Sequence, residues 1–231
     1  MILNETTRTL FMEVPKTGST TIRIAYVSLH GDQKYERTWT HIRLDELPRA
    51  FAKMYPEFNL SDFTQYAFYR DPVERFVSAW RYSVGQWERA RLQESQTRFS
   101  VYVRTAALFH LLWNTPFDEA AKPSLNDVTL DQMLDALESK VVFPTGDLFT
   151  PQSCYINENT VLLNFANYAE EYPRIAALLD IPTELPDHLS NLNASDSSQY
   201  LGAVTPEQVQ RIKTYYADDY AALAARGITF D

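Results

Sequence analysis

Residues 10–22, Leu-Phe-Met-Glu-Val-Pro-Lys-Thr-Gly-Ser-Thr-Thr-Ile, limit the possible folds of this chain more than any other stretch. Thr9 to Val14 is short, mostly apolar and ended by Pro15, which predicts a buried strand. Ile22, Ala25, Tyr26 and Leu29 recur at i, i+3, i+4 and i+7, one face of a helix packed on a sheet. The connecting turn, Pro15 to Thr21, has little side-chain bulk and many hydroxyls. The first N–H groups of a helix have no intrahelical partner and sit at the positive end of its dipole. Lys16 adds a full positive charge. Lys16, Thr17, Gly18, Ser19, Thr20 and Thr21 therefore read as a phosphate cradle. The same residues also suit an ordinary Ser/Thr-capped helix with no ligand, and the segment by itself does not separate the two. It is not a Walker A loop, because the lysine precedes the glycine.

The remaining chain fits one α/β domain over residues 1–231. Thr64 to Tyr69 is a second core strand rich in aromatics, and Thr160 to Phe165 a third. Helices are predicted at Leu44 to Met54 with Pro48 near the start, from Pro72 to about residue 92, and at 98–113. Further helices follow at Leu130 to Ser139, at Tyr168 to Leu179, and from a Thr205-to-Gln208 cap through Leu223. Tyr35 to Thr40 reads as extended, with His41 at its end, and Pro182 to Leu201 as a long loop. Strands alternating with helices imply a central, mainly parallel sheet flanked by helices, a three-layer arrangement of P-loop-like kind.

Composition narrows the function classes. A formal net charge of −9 argues against a nucleic-acid or anionic-membrane surface. It leaves room for a phosphorylated ligand held by a few local cations, since distant charges are screened within about a Debye length. No apolar run approaches the roughly 20 residues needed to cross a bilayer, and residues 1–8 carry no signal-like segment. The single cysteine, Cys154, forms no internal disulfide and no cysteine-rich metal site, so a reducing cytoplasm and metal-free chemistry are expected.

A second strand-to-helix segment follows at Phe68-Tyr-Arg-Asp-Pro-Val-Glu-Arg-Phe-Val-Ser-Ala-Trp80. Arg70 ends the second strand, where open α/β sheets bind ligands, and its guanidinium can grip a phosphate bidentately. Ser78 lies two turns into the following helix. Arg75, four residues after Asp71, is expected to pair with it and serve the fold. The two segments resemble the 5′-phosphosulfate loop and the 3′-phosphate segment (R-D-P-x-x-R-x-x-S) of sulfotransferases that use 3′-phosphoadenosine 5′-phosphosulfate (PAPS). Phe149 to Tyr155, residues 160–179, Asn191 to Ser195 with Tyr200, and Tyr215 to Tyr220 are similar to later landmarks of the carbohydrate branch, which includes the heparan sulfate 2-O and chondroitin/dermatan enzymes. Those enzymes carry a membrane anchor and stem that are not recognised here, so compartment and acceptor do not transfer with the resemblance.

The resemblance implies in-line transfer of a sulfuryl group from PAPS to an acceptor hydroxyl or amine, with adenosine 3′,5′-bisphosphate leaving. Lys16 and the N–H groups of residues 17–20 would stabilise the leaving oxygen. Thr20, Thr21, Arg70 and Ser78 would hold the nucleotide, and Asn193 and Ser195 would close over it. His41 leads as the general base and Glu13 follows; a surface role for the first and a buried ion pair with an arginine for the second are the plain readings. Gln152 is a weaker candidate to face the acceptor. Trp39, Tyr69, Trp80 and Trp113 are candidates to stack on adenine or a sugar ring. The acceptor, a glycan or a small hydroxylated molecule, has no sequence code. Two rivals stay open: a P-loop-like kinase or phosphotransferase, and a nucleotide-binding relative without activity.

Overall fold

The computed structural model describes residues 1–31, 40–92, 128–140, 146–184 and 198–230. They fall into two compact units. The first comprises Met1–Asp71, Thr150–Ala194 and Asp218–Asp231, and the second Pro72–Phe149 and Ser195–Ala217.

The first unit is built on a four-stranded sheet in the order β1 (Ile2–Asn4), β2 (Thr9–Met12), β3 (Thr64–Tyr69), β4 (Val161–Asn164). β2, β3 and β4 run parallel, with Met12 opposite Ala67 and Phe68 opposite Leu163. β1 was not anticipated. It pairs antiparallel with β2, Leu3 opposite Leu10, and makes the sheet mixed. Its three residues are too few for a period-2 pattern to register. The turn that sets it up is held by the Asn4 side chain, which accepts the backbone N–H of Thr6 at 2.9 Å.

Alternation along the strands divides the core into two faces. Ile2, Phe11, Phe68 and Leu163 pack with Ile22, Ala25 and Tyr26 of α1 (Ser19–His30) and with Tyr172, Ile175 and Leu179 of α5 (Tyr168–Leu179). Leu3, Leu10, Met12 and Ala67 pack with Leu47, Ala50 and Phe51 of α2 (Leu47–Met54) and with Leu223 of α8 (Ala217–Ala224). The result is the expected helix–sheet–helix sandwich. Pro48 does lie in the first turn of α2, which begins at Leu47, three residues later than the sequence suggested. Leu29 departs from the predicted apolar face: it is 57% exposed, because the last turn of α1 runs beyond the sheet cluster formed by Ile22, Ala25 and Tyr26.

The second unit is helical. It contains α3 (Pro72–Leu92), α4 (Leu130–Glu138), α6 (Ser198–Leu201) and α7 (Pro206–Tyr215). Thr129 and Thr205 each close a capping box, with Gln132 and Gln208 respectively, so the cap predicted at Thr205 is present. α6 occupies the end of a stretch expected to be loop. The long C-terminal helix expected from residue 205 through Leu223 is interrupted at Tyr216, where the chain turns to bury that ring. The Tyr216 hydroxyl donates to the Phe149 carbonyl at 3.0 Å, and its ring lies 4.7 Å beneath the Arg75 guanidinium. Arg75 is fully buried and also donates to the Leu148 carbonyl at 3.2 Å, which is a structural role. Arg211 ties α7 to α4 through Asp131, Asp135 and Glu138. Among the described residues no helix is long and apolar enough to cross a membrane. The helix predicted at 98–113 lies outside the described residues, as does the stretch from Tyr35 to Thr40 expected to be extended, apart from Thr40, which is in a turn.

Candidate active site

Three parallel strands ending on one edge of the sheet bring three strand-to-helix junctions together in the first unit: residues 13–18 after β2, Arg70 after β3, and residues 165–167 after β4.

The first junction is the turn the sequence singled out. Lys16 (φ 66°) and Gly18 (φ 81°) are both left-handed, and Gly18 is the N-cap of α1. Left-handed residues in such a turn gather backbone N–H groups onto a concave, anion-binding face. Gly18 has no side chain with which to cap. The Thr17 and Ser19 hydroxyls donate instead to the Val14 carbonyl, at 2.9 and 3.3 Å, so their hydrogens brace the turn. The buried Thr21 shares a hydrogen bond with the Tyr168 hydroxyl, which also reaches the Gly18 carbonyl at 3.2 Å. Only glycine fits at position 18. A β-carbon there would stand 2.6 Å from the Tyr168 ring and 3.0 Å from that of Phe165.

Arg70 is harnessed at both ends. Its backbone N–H donates to Gln152 Oε1 at 2.9 Å, and Gln152 Nε2 donates to its carbonyl at 2.9 Å. Its guanidinium lies 4.7 Å over the Phe165 ring. Gln152 is fully buried, so its amide serves Arg70 where an acceptor contact was anticipated. Arg70 and Lys16 are near enough to interact electrostatically. Burial, and then the Arg70 charge, bring the Lys16 amine down to about 8. Two cations held beside each other at a half-buried edge suit a ligand with more than one negative group.

His41 reaches the same edge. Its Nδ1 lies 2.6 Å from the backbone carbonyl of Glu13, and a carbonyl only accepts, so Nδ1 carries the hydrogen and Nε2 keeps its lone pair. Burial lowers the His41 pKa, against the opposing pull of the Glu13 carbonyl and carboxylate. The backbone at His41 is left-handed (φ 60°), a turn where an extended end was expected. Glu13 is fully buried, with its carboxylate 2.8 Å from the Met1 amino group and 3.3 Å from Arg23. Burial alone would raise its pKa; Met1, Arg23 and His41 outweigh that and hold it below the ordinary value. Thr20, half-buried, accepts from Arg23 at 3.4 Å.

Ser78 belongs to the second unit, buried in the second turn of α3. Asn193, Ser195, Trp39 and Trp113 lie outside the described residues. Of the remaining aromatic candidates, Trp80 is buried and donates to the Val128 carbonyl, and Tyr69 packs edge-on to Phe230. Four contributors escaped the sequence reading: Arg23, Phe165, Tyr168, and Gln152 in its present role. The only available signal was that Phe165 to Tyr168 is itself a strand-to-helix junction.

A family model described as the sulfotransferase family matches residues 1–224. The chain belongs to the sulfotransferase family. Comparison with curated proteins and with solved structures gives no significant match. Family membership carries sulfuryl transfer to an acceptor as the general chemistry, and it does not favour the kinase reading. In this sulfotransferase, the loop at residues 15–18 and the harnessed Arg70 form the most strongly built part of the edge.

Proposed function

We propose that the chain is a PAPS-dependent sulfotransferase acting on an acceptor hydroxyl, of a carbohydrate or a small molecule, as one domain over residues 1–231. The observation that carries this reading is the adjacency of Lys16 and Arg70 at the carboxyl ends of neighbouring parallel strands. PAPS has a 5′-phosphosulfate and a 3′-phosphate, and two cations beside a loop of backbone donors match that pair of anions. The donor set also fits: a lysine whose amine is brought down to about 8 by burial and Arg70 regains its proton preference when an anion arrives.

When bound, PAPS supplies the sulfuryl group, whose sulfur bonds to the acceptor oxygen as its bond to the 5′-phosphate oxygen breaks and that oxygen leaves with the electron pair. Lys16 and the N–H groups of residues 17–20 stabilise the charge on that oxygen. Arg70, Thr20 and Thr21 would hold the nucleotide. His41 takes the acceptor proton on Nε2, the nitrogen left free by the bond from Nδ1 to Glu13. Glu13 is the second candidate for that task. No step calls on a metal. The acidic balance of the chain favours neither nucleic acid nor membrane as a partner, and its single cysteine is in keeping with a cytoplasmic setting.

The test is transfer of radiolabelled sulfate from PAPS across a panel of glycans, phenols and small hydroxylated molecules, with and without EDTA. Labelled product that forms equally in EDTA supports the reading. Binding of adenosine 3′,5′-bisphosphate without transfer to any acceptor would point to a relative without activity. Failure to bind it at all would overturn the proposal.

A further inference from the structure

Glu13 offers two different groups to the site. Its backbone carbonyl accepts from His41 Nδ1 at 2.6 Å, and its carboxylate pairs with Arg23 at 3.3 Å and with the Met1 amino group at 2.8 Å. Arg23 extends the chain of contacts by donating to Thr20, inside the cradle, at 3.4 Å. The charged groups that act on the His41 ring are the Glu13 carboxylate, the Met1 amino group and Arg23, one negative and two positive. A fully buried carboxylate this close to a candidate base is placed to do more than pair with an arginine.

Building on His41 as the base, we propose that Glu13 and Arg23 are positioning residues. The Glu13 carbonyl fixes the tautomer that leaves Nε2 to take the acceptor proton, and the carboxylate–guanidinium couple sets opposed charges around the ring. Glu13 is then a partner of the base rather than a base itself, since its carboxylate is engaged by Arg23 and the Met1 amino group. Opposed charges have a consequence that packing lacks. Removing the carboxylate makes the imidazolium easier to deprotonate, and removing the guanidinium makes it harder. Simple loosening of the site would instead carry the ring toward its solvent value in either variant.

Titration of the imidazole by long-range proton–nitrogen NMR tests this, on full-length protein labelled with ¹⁵N-histidine. His41→Gln assigns the signal among the four histidines of the chain. In the parent protein the neutral ring should carry its hydrogen on Nδ1. Glu13→Gln should move the titration to lower pH, Arg23→Met should move it to higher pH, and Arg23→Lys should return it to the parent position. Because Glu13→Gln leaves buried cations uncompensated, it is the variant that can fail to fold; recovery of the parent titration in Arg23→Lys, which keeps the charge while changing the packing, then decides. A neutral ring protonated on Nε2, shifts of the same sign in Glu13→Gln and Arg23→Met, or identical titration of Arg23→Met and parent would overturn the proposal. Sulfate transfer from PAPS by His41→Gln is measured separately. Its survival would overturn the base assignment and with it the positioning role, whereas its loss together with unmoved titrations would leave the base standing and remove only Glu13 and Arg23.

Discussion

Lys16 occupies a left-handed turn position, half-buried, beside the guanidinium of Arg70. Replacing Lys16 by alanine should lower turnover by about 100-fold or more, the usual effect of losing one preorganised donor to a leaving oxygen. Initial rates at saturating PAPS check this, and an unchanged rate would remove Lys16 from the chemistry. Its amine titrates at about 8 in the folded protein against an ordinary value of 10.5. Between those two values the unfolded chain binds more protons than the folded one. The Lys16 contribution to stability therefore rises with pH across that window, and the destabilising effect of its charge is fully present below it. Affinity should run the other way. Anion binding needs the ammonium, so the dissociation constant for adenosine 3′,5′-bisphosphate should be flat below pH 8 and weaken above it. Calorimetry from pH 6.5 to 9.5 measures this, and Lys16→Met should flatten the curve.

The turn between β2 and α1 shows what a sequence can and cannot disclose about an element. Strand and helix were legible from periodicity, and the turn between them from its small residues. Thr64 to Tyr69 and Tyr168 to Leu179 were equally plain, because their apolar spacing is set by burial against a sheet. What could not be read was why position 18 must be glycine. The answer lies 150 residues away in the ring of Tyr168, a contact made by parallel pairing of strands and not by local spacing. β1 stayed hidden for a related reason: three residues acquire a role only by pairing with β2. Gln152 looked like an acceptor ligand because a lone polar residue shows no sign of the backbone it will clamp. Gly18→Ala is the corresponding experiment. The left-handed backbone costs an L-residue about 1–2 kcal/mol, and the clash with Tyr168 adds to it. A lowered midpoint in denaturant unfolding at unchanged slope, together with weaker nucleotide binding, is the expected outcome; parent-like values for both would contradict the close packing described.

At the scale of the whole chain, neither unit is a continuous piece of sequence: the first is assembled from three segments and the second from two. Thermal unfolding should respond to adenosine 3′,5′-bisphosphate as a ligand that binds only the folded state. At about 100 times its dissociation constant the nucleotide adds roughly 2.7 kcal/mol, seen as a higher melting temperature with or without magnesium. A rise that requires magnesium would revive the kinase reading. The segmented assembly also bears on biosynthesis. Leu223 is fully buried against the sheet, and Ile228 and Phe230 pack on the same cluster, so one flank of the β-structure waits for residues from the far end of the chain. A ribosome-bound intermediate cut off before residue 218 would display Leu10, Met12 and Ala67 without their last cover, and such a fragment should recruit chaperones or aggregate until the final helix emerges.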